Sequence, residues 1–189
     1  MAKSKFSYKN TIILGSLILF VFIIFSTLKP FIFQQKIEVA ETYLINIPSS
    51  WNYEKFVNDV LKDIVVTNYK GEISVQDRSD SSEYAKVSVS KLSKENIQSR
   101  DILADTIKGY YPDSKIAQEE FVLNEKKGTR LNINSVSKNE LFSYQEILIV
   151  EYDELSLFRI DGYVYKNSWL VRNYYRILVS YIVNSLQFK

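Results

Sequence analysis

The chain has 189 residues, 46% of them hydrophobic, with no cysteine and no histidine. Those absences exclude disulfides, thiol nucleophiles, thiolate or imidazole metal sites, lipidation of an N-terminal cysteine and any Ser-His-Asp triad. Residues 1–36 carry five lysines and no acid, which leaves residues 37–189 at net −3 within an overall charge of +2; a nucleic-acid binder gains affinity from a basic face, so nucleic acid is not an expected partner.

The first predicted element is a membrane span. Thr11 to Leu28 reads TIILGSLILFVFIIFSTL without a charge, and a helix of that length covers about 27 Å, close to the hydrocarbon thickness of a bilayer. It is apolar all round, unlike an interfacial amphipathic helix. Lys3, Lys5 and Lys9 precede it, and positive charge is retained on the cytoplasmic side. The reading is a cytoplasmic tail at 1–10, a signal anchor at 11–28 ended by Lys29-Pro30, and the remainder outside, in a cell envelope or a thylakoid lumen. A cleaved signal peptide fits less well. The apolar run exceeds the usual core of such peptides, and cleavage after Ala40 puts Glu38 where a small residue is needed. Residues 29–40 read as a juxtamembrane linker, with Phe31 and Phe33 placed for the interface.

Residues 41–189 are long enough to bury a core of their own. Tyr43, Ile45 and Ile47 alternate up to Pro48, a short strand. Glu54 to Leu61 reads as one or two helical turns. Ile64–Thr67 is a β-branched run, followed by a turn at Asn68–Gly71 and a second run at Ile73 and Val75. Ala85, Val87 and Val89 form a strand with one wet face. Ile102, Leu103, Thr106, Ile107 and Tyr110 fall at helical spacing, ended by Gly109 to Pro112. Phe121–Leu123, a turn at Asn124–Gly128, and Leu131, Ile133 and Val136 come next. The patterns Leu141–Tyr152 and Leu155–Lys166 meet at Asp153-Glu154 as a hairpin, with Gly162 as a candidate bulge. Val171, Tyr175, Leu178, Ile182 and Leu186 mark a closing amphipathic helix. Strands, helix, strands, helix indicate an α+β fold: a three-layer α-β-α sandwich around an antiparallel sheet, preceded by one transmembrane helix.

The domain resembles the PsbP-like family, named for an extrinsic subunit of the oxygen-evolving photosystem. The resemblance rests on Tyr43-Leu44-Ile45-Asn46-Ile47-Pro48-Ser49-Ser50-Trp51, Ile73-Ser74-Val75, Ala85-Lys86-Val87-Ser88-Val89, Gly128-Thr129-Arg130-Leu131, Ser168-Trp169 and Ser185-Leu186-Gln187-Phe188. It implies an α-β-α sandwich at 41–189 that serves in binding, assembly or stabilisation and does no chemistry. This chain has neither the cysteine of lipid-modified bacterial members nor the histidine that some photosystem members use for metal contacts.

Candidate chemistry is sparse. No Gly-rich phosphate cradle occurs and no cofactor is implied. Ser88…Lys91 and Ser135…Lys138 have Ser-x-x-Lys spacing, but on strands residues three apart point to opposite faces, so neither pair is expected to be catalytic. Asp77, Asp80 and Glu83 form an acidic loop without the EF-hand pattern, and Glu151, Asp153 and Glu154 form a second acidic turn. Trp51 and Trp169 are expected to close the ends of the core, and one ring each of Tyr110-Tyr111 and Tyr174-Tyr175 to be buried. Two basic features remain as partner-binding candidates: the turn bearing Lys126, Lys127 and Arg130, and Arg172 and Arg176 on the last helix. The expectation is a non-catalytic, membrane-anchored accessory protein that docks on, assembles or stabilises a membrane protein complex. The alternatives are a small-ligand or sensory domain, supported by an apolar pocket, and a carboxylate-based hydrolase, which needs a buried acid pair in a cleft.

Overall fold

A computed structural model describes residues 8–39, 42–56, 64–67, 85–97, 99–135, 142–165 and 168–189. The expected turn at 68–71, the run at 73–75, the acidic loop of Asp77, Asp80 and Glu83, and Lys138 lie outside these residues. Helix α1 spans Tyr8–Ile32. Its window Ile12–Ile32 has a mean hydropathy of 2.4 and none of it is buried by the rest of the protein. The helix does not stop at Lys29-Pro30. Pro30 lacks only its own donor, and the Phe33 N–H bonds the Lys29 carbonyl at 2.9 Å, so the last turn closes regardless.

Strand β1 (Gln34–Val39) follows almost at once and pairs antiparallel with β2 (Tyr43–Pro48). Residues 34–39, expected as part of a tether, are thus built into the fold. Ile37 and Val39 alternate with Lys36 and Glu38, and both apolar side chains are buried, as a half-wet strand requires. The C-terminal strand β10 (Gln187–Phe188) pairs with the other edge of β2, completing a small three-stranded sheet.

The main sheet begins with β3 (Asn52–Lys55), β4 (Ile64–Thr67) and β5 (Ala85–Ser93). Residues 52–55 are extended where the sequence pattern suggested helical turns at 54–61. Pairing with Ile64–Thr67 satisfies their backbone, and this overrides a weak local preference. A short helix α2 (Lys94–Ile97) leads to α3 (Arg100–Gly109), capped by Ser99, whose hydroxyl accepts the Ile102 N–H. Four strands follow: β6 (Lys115–Leu123), β7 (Lys126–Asn134), β8 (Phe142–Glu151) and β9 (Ser156–Tyr165). The order across the sheet is β3-β4-β5-β9-β8-β7-β6, with antiparallel neighbours throughout. The register irregularity lies between Phe142 and Tyr144 in β8, not at Gly162.

Helix α4 (Trp169–Asn184) covers one face of the sheet and α3 the other, giving the three layers. The larger core joins Leu178, Val179, Ile182 and Val183 of α4 to Val87, Val89, Leu148, Phe158 and Ile160. The smaller joins Leu103, Ala104 and Ile107 to Leu131, Ile133, Ile147 and Ile149. Period-2 alternation in β8 sends Tyr144, Glu146, Leu148 and Val150 towards α4, and Gln145, Ile147 and Ile149 towards α3. Gly162 lies directly beneath α4: a Cβ built there would stand 2.3 Å from Val179 Cγ1. Trp51 is buried beside Tyr175. Trp169 is not, because it is the first residue of α4 and precedes the buried stripe. Tyr110 is exposed and Tyr111 packs on Phe142, whereas Tyr174 and Tyr175 are both half-buried, edge to face at 5.1 Å.

Candidate functional site

The hairpin expected to present a basic turn is tighter than its sequence suggests. Leu123 pairs with Lys126, so the turn is only Asn124 and Glu125, both with positive φ (49° and 66°), the two-residue geometry that suits hairpin twist. Lys126, Lys127 and Arg130 therefore stand in β7, not in a turn. Lys126 and Lys127 point to opposite faces. Lys126 Nζ lies 5.4 Å over the Tyr152 ring, and Lys127 is exposed. Gly128 is no turn residue either. A Cβ there would stand 2.6 Å from the Phe121 ring, its cross-strand neighbour. The bare glycine lets that ring lie down, and the Arg130 guanidinium stacks on it at 5.2 Å.

Arg130 then reaches an open groove of about 560 Å³ between α4 and strands β7 and β8. Arg176 of α4 lines the same groove. Two of the five basic candidates thus converge, although they are far apart in the chain. Lys126, Lys127 and Arg172 do not line it; Arg172 is half-buried in the first turns of α4.

The groove floor was not legible in advance. Glu146 is 1% exposed and its Oε1 lies 3.2 Å from Arg130 Nε. Arg130 Nη1 also donates to Glu119 at 2.8 Å, and Nη2 to Asn184. The Tyr144 hydroxyl sits 2.7 Å from Asn132 Oδ1 and 3.3 Å from Glu146 Oε2. The Arg176 guanidinium lies 4.5 Å over the Tyr144 ring. Burial pushes the Glu146 carboxyl above its ordinary value, and Arg130, Ser180, Tyr144 and Arg176 pull it part of the way back. Burial and the nearby Glu146 charge push the Tyr144 phenol up, so it is a neutral hydrogen-bonding group at physiological pH. The floor is therefore a polar network tied together by Arg130, with the Arg176 charge at its rim.

The buried acids do not form a catalytic pair. Glu146 faces α4, whereas Asp161 is buried on the opposite face of the sheet. There Arg159 grips it through two contacts of 2.8 Å and Gln145 donates to it at 3.1 Å. Each acid answers an arginine, as buried charges require. Ser88 and Lys91 of β5 fall on opposite faces: Ser88 is buried, and Lys91 Nζ lies 5.3 Å over Tyr152. Asp153 in the acidic turn accepts the Leu155 N–H at 2.8 Å and closes the β8–β9 connection. Among the described residues no group of three acids is placed to hold a metal ion.

No family model matches the chain, and no curated protein sequence matches it. Solved structures do. The solution structure of PsbP from the cyanobacterium Synechocystis superposes with a TM-score of 0.54 at 11% identity, over 82% of this chain and 92% of that one. The Ran-binding protein Mog1p of Saccharomyces cerevisiae gives a TM-score of 0.48 at 11% identity, over 82% of this chain and 94% of that one. The first likeness shows that the fold is PsbP-like.

Proposed function

We propose that the chain is a non-catalytic, membrane-anchored accessory protein, whose domain lies outside the cytoplasm and docks on a membrane protein complex through the groove between α4 and the sheet. One observation carries this reading: a single residue, Tyr181, lines the groove and also holds the end of α1. Its ring meets Phe31 edge on at 5.4 Å, and its hydroxyl accepts a hydrogen bond of 2.7 Å from Gln34 Nε2. The groove is thereby held beside the point where the apolar helix ends. A tether of this kind raises the local concentration of the module near membrane partners, so a modest contact suffices. The paired state of Glu146 and Asp161 supports the non-catalytic part, and Lys3, Lys5 and Lys9, which precede the apolar window, support an inward N-terminus.

The test is affinity purification of the tagged full chain after mild detergent extraction. Arg176→Glu reverses the exposed charge at the groove rim and is expected to deplete the co-purified membrane partner. Reversal of Lys127, exposed on the opposite face, is expected to leave it. An identical set of recovered proteins from both variants would contradict the docking site.

A further inference from the structure

Helix α4 carries a second apolar stripe that the fold leaves largely exposed. Leu170, Tyr174, Ile177 and Tyr181 are spaced 4, 3 and 4, on a different side of the helix from the buried Leu178, Val179, Ile182 and Val183. Leu170 is 72% exposed, Ile177 64% and Tyr181 40%. The helix contains no acid, and its only charges are Arg172 and Arg176. An exposed apolar face of this length needs a partner.

The C-terminal end of α1 meets that stripe at one residue. Tyr181, at its C-terminal end, touches Phe31 and Gln34 where α1 gives way to β1. The apolar window of α1 runs 21 residues up to Ile32, about 31 Å of helix, so it fills the hydrocarbon core and reaches Tyr181 itself. Phe33, exposed beside Ile32, extends the greasy surface up to the joint and packs on Phe25 at 6.3 Å. A stripe that starts at the end of a membrane span and mixes tyrosine with aliphatic side chains, none of them charged, matches the headgroup boundary of a bilayer.

We infer that α4 lies along the membrane surface, with Leu170, Ile177 and Tyr181 sunk into the headgroup–acyl boundary. The inference rests on the proposed membrane anchor.

The chain has no cysteine, so single spin labels report on chosen sites. The full chain is reconstituted in vesicles of equal parts phosphatidylcholine and phosphatidylglycerol. Labels are placed at Leu170→Cys and Ile177→Cys on the stripe, at Phe20→Cys in α1, and at Ile102→Cys, exposed on α3 across the sheet. Collisions with oxygen and with a water-soluble nickel complex are measured at each site. The expected result is several-fold higher oxygen-to-nickel accessibility at 170 and 177 than at 102. Lipid-buried Phe20 with 170 and 177 as wet as 102 overturns the inference and leaves the anchor standing. A wet label at Phe20 overturns both. Spin–spin broadening at 177 that vanishes on dilution with unlabelled chain assigns the stripe to a second copy, and also overturns the inference.

Discussion

Gly162→Ala tests how closely the groove wall is packed on the sheet. The new Cβ would lie 2.3 Å from Val179 Cγ1 and 3.2 Å from Val183 Cγ2, so the nearer contact falls more than about 1 Å short of the usual 3.5–4.0 Å separation. Valine in a helix has one strongly preferred rotamer, so α4 must lift. Overpacking of this kind costs about 2–3 kcal/mol, which for a domain of this size lowers Tm by roughly 5–10 °C. Val179→Ala alone removes a fully buried side chain and costs about 2 kcal/mol. The double variant should lose much less than the sum, since alanine at 179 makes room for the methyl group at 162; the coupling should exceed about 1 kcal/mol in favour of the pair. Thermal unfolding of the full chain in mild detergent, followed by circular dichroism, measures all four corners of the cycle. Gly162→Ala with unchanged Tm, or additive losses in the double variant, would refute the close approach of α4 to β9.

Glu146→Gln addresses the buried acid. The folded protein holds the Glu146 proton above the ordinary 4.5, so the folded state binds more protons than the unfolded one just above that pH, and stability falls as pH rises through the window up to the raised value. The Gln variant should lack this fall, seen as a flatter plot of Tm against pH from acid to neutral; an unchanged slope would place the dependence elsewhere. Glu125→Gly relieves a left-handed non-glycine residue in the β6–β7 turn and should stabilise by about 0.5–1 kcal/mol in denaturant titration. Tyr181→Phe keeps the ring on Phe31 but deletes the acceptor for Gln34. It should cost no more than about 1 kcal/mol, whereas Tyr181→Ala should loosen α1 from α4, read as increased proteolysis near residue 33.

The elements that were legible in the sequence are those whose period is strong and whose partners are near. The stripe of α4, the long β8 and β9 patterns and the helix around Leu103 and Ile107 all stand where their spacing puts them. β1 read as a tether because Lys36 and Glu38 dilute its pattern, and its burial depends on pairing with β2 and on the closing of the small sheet by residues 187–188. The first half of β6 was invisible because it is an edge strand whose side chains are mostly exposed. Gly128 misled, since a glycine after two lysines signals a turn, whereas here it makes room for Phe121. The site was half legible. Arg130 and Arg176 stood out as charges, but Tyr144, Asn132 and Glu146 converge only through the β7–β8 register, which sets Asn132 opposite Glu146. The one local sign was a glutamate in the middle of an otherwise apolar strand face, a pattern that calls for a buried arginine.

The account turns on a retained anchor that holds this PsbP-like domain at a membrane. The most direct measurement is the intact mass of the mature protein recovered from carbonate-washed membranes. A chain that still contains Lys3, Lys5 and Lys9 and resists extraction is predicted. A soluble species trimmed before β2 would contradict it.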